Sequence, residues 1–104
     1  MDQQGADSNF SATTRADGEH LTVTVAGDVD MATADTMYAA AATPSGVARL
    51  TLDLRAVTFF DSAAIHALVR LAGAYGDALA VLPSSQVRRV LDISGLGDQP
   101  WLEA

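Results

Sequence analysis

The chain has 104 residues, with six arginines, no lysines, thirteen acids, no cysteine and a formal charge of −7, which allows one domain with a modest core and excludes disulfide and thiol chemistry. An acidic balance of this size repels a nucleic-acid backbone, so no direct nucleic-acid contact is expected, while it suits a partner with a basic surface. No apolar run reaches the roughly 18 to 20 residues of a membrane span, and the opening Met1 to Asp7 lacks the basic and apolar regions of a signal peptide; a cytoplasmic protein without membrane insertion is expected.

Residues 1–8 are polar and without periodicity, so they are expected to form a flexible tail ahead of one domain over 9–104. Two alternating segments, Phe10 to Arg15 and His20 to Ala26, flank Ala16-Asp17-Gly18, and an Asp-Gly pair in that setting predicts an antiparallel hairpin. In the second segment Leu21, Val23 and Val25 share one face, and Thr22 and Thr24 the other. Gly27-Asp28-Val29-Asp30 leads into a helix from about Thr33 to Ala42, with Ala34, Met37, Tyr38 and Ala41 on one side, ended by Thr43-Pro44-Ser45-Gly46.

A third strand, about Ala48 to Leu54, alternates Leu50, Leu52 and Leu54 with Thr51 and Asp53 and is expected to be central. The helix after Asp61-Ser62 is expected to turn Ile65, Leu68, Val69 and Ala72 inward and to close between Gly73 and Gly76. Ala78 to Leu82 is a continuous apolar run, the pattern of a strand covered on both faces. Pro83-Ser84-Ser85 caps a last helix with Val87, Val90 and Leu91 inward and Gly95 just past its end. One hairpin followed by two crossover units predicts an α/β domain, a mixed four- to five-stranded sheet with three to four helices packed on it.

The junction Phe60-Asp61-Ser62-Ala63-Ala64 sets a hydroxyl at a helix N-terminus, where unpaired N–H groups and a partial positive charge favour an anion. Asp and Ser are also preferred N-caps, and either can cap while Ser62 still shows its hydroxyl to solvent. Asp61, Ser62 and His66 together raise serine catalysis, but the flanks do not fit a nucleophile elbow. His66 also lies one turn along the same helix face as Ser62 instead of converging on an oxyanion hole. Asp28, Asp30, Asp53 and Asp61 match no metal-loop spacing, so neither a metal nor a cofactor is expected. His66 and Arg70 continue the stripe below Ser62, and Arg88-Arg89 occupy a solvated face of the last helix.

Taken in order, Gly27 to Ala34, Leu50 to Leu54, Val57 to Ala64 and Ser85 to Leu96 resemble the STAS domain, and within it the bacterial anti-anti-sigma factors, also called anti-sigma factor antagonists. The resemblance covers about residues 9 to 102. It implies a non-enzymatic protein whose unphosphorylated form binds an anti-sigma factor of the serine-protein kinase type and so regulates sigma-factor-dependent transcription. It also implies phosphorylation at Ser62 that abolishes binding until a phosphatase restores it. The partner surface it implies comprises Asp28, Asp30, Asp61, Ser62, Ala63 and His66. The family pattern often has glycine where this chain has Ala64 and His66, which stiffens the segment and changes the surface a kinase meets. A non-switching STAS binding module, such as a subunit of a lipid-transport ATPase complex or a signalling scaffold, and a small enzyme using Ser62 are the other classes.

Overall fold

The computed structural model describes residues 9–42 and 47–103. The expected tail over 1–8 and the helix end at Thr43 to Gly46 lie outside the described residues. Strands β1 (Phe10–Asp17) and β2 (His20–Val29) form the antiparallel hairpin. Its two-residue turn is Gly18-Glu19, one step later than the Asp-Gly reading, because Asp17 still pairs with His20 and Gly18 supplies the positive φ of 62° that such a turn needs.

Helix α1 (Ala34–Ala42) then leads to β3 (Arg49–Phe60), which lies parallel to β2, and helix α2 (Ser62–Tyr75) with a short 3-10 turn (Gly76–Ala78) leads to β4 (Leu79–Pro83), parallel to β3. Helix α3 (Ser85–Ile93) follows. The sheet order is β1-β2-β3-β4, so β3 is an inner strand as expected.

Strand β3 runs on to Phe60 instead of stopping near Leu54. Beyond the reach of β4 it keeps its partner, pairing Ala56 to Phe60 with Ala26 to Val29 across two register shifts in β2. Gly27 sits at this irregularity with φ of 89°, and a Cβ there would collide with the Asn9 carbonyl that crosses over it. Only glycine meets both demands.

Leu21, Val23, Leu50, Leu52, Leu79 and Val81 line up by register and are buried. In β4 the intervening Ala80 and Leu82 are only partly buried, so the apolar run is fully covered on one side and partly on the other. Ala34, Met37 and Ala41 of α1 and Val87 and Leu91 of α3 are buried as their spacing predicted. In α2 Leu68 is buried as expected, but its buried companions are Ala64, Ala67 and Leu71; Ile65 and Ala72 are only partly buried and Val69 is 46 % exposed. Close packing of α2 against α1 favours small side chains at the contact over larger apolar ones.

Pro83 ends β4, and Ser84 alone caps α3 by accepting the Val87 N–H. Gly95, with φ of 82°, closes that helix as expected, with Leu96 N–H donating to the Leu91 carbonyl. The segment after it adds a short parallel bridge, Leu102 to Val81, and buries Trp101. Among the described residues no helix is long and apolar enough to cross a membrane.

Candidate functional site

The C-terminal ends of the parallel strands β2 and β3 meet at one edge of the sheet, where open α/β sheets commonly place their ligands. Val29 pairs with Phe60, and the next residue, Asp61, donates its N–H to the Val29 carbonyl at 3.2 Å. That bond ties the loop carrying Asp28 and Asp30 to the start of α2.

Asp61 is the N-cap of α2. Its backbone is extended, and its Oδ1 accepts the Ala64 N–H at 3.1 Å. Ser62 is the first helical residue, exposed, and among the described residues its hydroxyl has no hydrogen-bond partner. The two residues thus take separate tasks: the carboxylate closes the helix end and the hydroxyl faces solvent.

The preceding loop is held by its own side chains. Thr33 accepts the Asp30 N–H at 2.9 Å and donates to the Asp28 carbonyl at 2.9 Å, while Asp30 Oδ1 accepts the Ala32 N–H. The Asp28 carboxylate accepts from Asn9 Nδ2 and Thr58 Oγ1, each at 3.1 Å. Asp28 and Asp30 therefore share the edge with Asp61 and Ser62 without hydrogen-bonding to either. Asp61, Ser62 and His66 are not linked to one another by hydrogen bonds among the described residues, so no nucleophile–base–acid relay is formed. Among those residues no group of three metal-ligating side chains converges.

Ala63 and His66 follow Ser62 on α2. With Met31, Ala34, Asp35, Ala67 and Arg70 they line an open groove of about 200 Å³ between α1 and α2. Met31, 82 % exposed, stands at its mouth. The Arg70 guanidinium lies 4.1 Å from the centre of the Tyr38 ring, bridging the two helices lower down. Sequence reading missed Met31; its one signal is a large apolar residue set in a turn immediately after Asp30, outside any periodic pattern. Asn9 and Thr58 carry no local signal, because only the fold brings them to Asp28.

Hydrogen bonds from Arg55, at 3.0 and 2.9 Å, hold the Asp53 carboxyl below its ordinary range, and burial pushes the Tyr75 phenol up. Arg55 is largely exposed, so its ion pair contributes little to stability. The Tyr75 hydroxyl donates to the Ala41 carbonyl and joins α2 to α1. Arg88, read as a solvated residue, instead donates to the Glu103 carbonyl and holds the final segment.

A family model described as "Mlab, STAS domain" matches residues 12–103. Among solved structures, an anti-sigma factor antagonist from Mycobacterium paratuberculosis is 23% identical, with a TM-score of 0.73, covering 89% of this chain and 84% of that one. The anti-sigma factor antagonist SpoIIAA in its unphosphorylated form is 21% identical, with a TM-score of 0.66 over 89% of this chain and 86% of its own. The Bacillus cell fate determinant SpoIIAA in its phosphorylated form is 20% identical, with a TM-score of 0.70 over 89% of each chain. The comparison with curated proteins returned no match. At these identities the solved structures establish a shared fold.

Proposed function

Because the chain belongs to the STAS domain family, we propose that it is an anti-sigma factor antagonist: a cytoplasmic binding protein that engages an anti-sigma factor of the serine-protein kinase type while Ser62 is unmodified and releases it when Ser62 is phosphorylated, with a phosphatase restoring the binding form. The observation that carries this reading is the exposed hydroxyl of Ser62 on the first turn of α2, unpartnered among the described residues and freed from capping by Asp61. A kinase can reach such a hydroxyl without unfolding anything.

The charge argument runs the same way. A phosphate adds about −1.5 to −2 charges beside Asp61, on an edge that already carries Asp28 and Asp30. The helix dipole offsets part of that repulsion within the protein, whereas a partner docked over Asp28, Asp30, Asp61, Ser62, Ala63 and His66 meets the full change. Solved relatives described as SpoIIAA in unphosphorylated and phosphorylated forms support a switch on this fold.

A pull-down from the native lysate with wild type and Ser62→Asp, with mass spectrometry of the captured proteins, tests the proposal. Capture of a histidine-kinase-like ATPase by wild type and its loss with Ser62→Asp are expected; equal capture by both contradicts it. The second reading, a non-switching STAS module such as a subunit of a lipid-transport ATPase complex, is favoured by one observation: the matching family description names Mlab and not an anti-sigma factor antagonist. Capture of a transporter ATPase by both proteins supports that reading.

A further inference from the structure

We propose that, once Ser62 carries a phosphate, the His66 side chain one helical turn below pairs with it as an imidazolium, so that this histidine neutralises the modified serine where the helix end alone does not. The inference rests on the reading of Ser62 as the phosphorylated residue.

The surroundings of Ser62 are poor in positive charge. Asp61 adds a carboxylate beside it and already occupies the Ala64 N–H. Asp30 lies on the adjoining loop, tied to the same edge by the Asp61 to Val29 hydrogen bond. Arg70, the one arginine in α2, is two turns down and stacked on Tyr38. His66 follows Ser62 by four residues, a spacing at which Cβ atoms on a helix stand about 5 to 6 Å apart. Helical side chains lean toward the helix N-terminus, which directs the His66 ring back toward Ser62.

His66 is exposed, and among the described residues its ring makes no hydrogen bond, so nothing restrains it from turning to a new partner. The charged groups that share its groove are Asp35, across from α1, and Arg70 on its own helix. Because coupling between two sites is reciprocal, the protonated histidine stabilises the phosphate dianion by the same factor by which the phosphate stabilises the proton on the ring.

The test uses the whole chain with phosphoserine genetically encoded at position 62, so that no kinase is required. His66 ring protons and the phosphorus signal are followed by NMR through a pH titration. The His66 midpoint is expected about 0.5 to 1 pH unit above that of the unmodified chain, a roughly three- to tenfold tighter hold on the proton. His20, hydrogen-bonded to Thr51 at the opposite end of the strands, should stay where it is. His66→Gln should raise the phosphate's own midpoint, and Arg70→Gln should leave it unchanged. A His66 midpoint that is the same in both forms overturns the pairing, as does a phosphate midpoint that answers to Arg70→Gln and not to His66→Gln. Failure of any kinase to modify Ser62 would sink the switch reading and leave this titration fully readable, so the two failures are distinct.

Discussion

Asp61 and Ser62 sit side by side and do different work, and the difference predicts opposite behaviour on substitution. Asp61→Ala removes the acceptor for the Ala64 N–H and should cost about 1 kcal/mol of unfolding free energy. Ser62→Ala removes a hydroxyl with no partner among the described residues and should change stability by less than about 0.5 kcal/mol while abolishing the proposed phosphorylation. Urea denaturation of both variants checks the division; a larger loss for Ser62→Ala would show that the serine is the cap. The sequence pointed to this junction, since an apolar strand breaking at an acid and a hydroxyl has few other readings. It could not choose between two good N-caps. The choice is made by the backbone: Asp61 is extended while Ser62 is already helical.

At the scale of elements, strand alternation and turn residues were legible because each is a local property of the chain. What escaped was set by neighbours distant in sequence. Strand β3 outruns its leucine alternation because β2 keeps pairing with it through Asp28 and Val29. Helix α2 is rotated from the expected phase because α1 packs against it where Ala64 and Ala67 face inward, and periodicity weighted Ile65 and Val69 more heavily than alanine. The last segment has no periodicity, yet Trp101 is 8 % exposed, and its carbonyl accepts the Val81 N–H while Glu103 N–H returns to the Val81 carbonyl. These bonds cover the free edge of β4. Trp101→Ala should therefore cost about 3 kcal/mol, with faster amide exchange at Val81 as the local signature. A stability within about 0.5 kcal/mol of wild type would mean that this segment only rests on the core.

Across the whole molecule, one sheet with helices packed on it gathers the sequence-predicted residues at a single edge. Asp28, Asp30, Asp61 and Ser62 meet because the parallel strands β2 and β3 end together, and Ala63 and His66 extend that edge into the groove beside Met31. The motif named Asp28, Asp30, Asp61, Ser62, Ala63 and His66 as candidates, whereas Met31, Asn9 and Thr58 needed the fold, since no local pattern joins them to these positions. An excess of acid over the whole chain, −7 in formal charge, suits a basic partner surface, and on the proposed reading one more phosphate at the edge weakens that contact. The most direct measurement is to incubate the intact protein with ATP and the purified ATPase captured by wild type, and to map the product by mass spectrometry. One phosphate on Ser62, with release of the ATPase as it accumulates, is the predicted result; no phosphate, or a phosphate on another residue with binding unchanged, would contradict it.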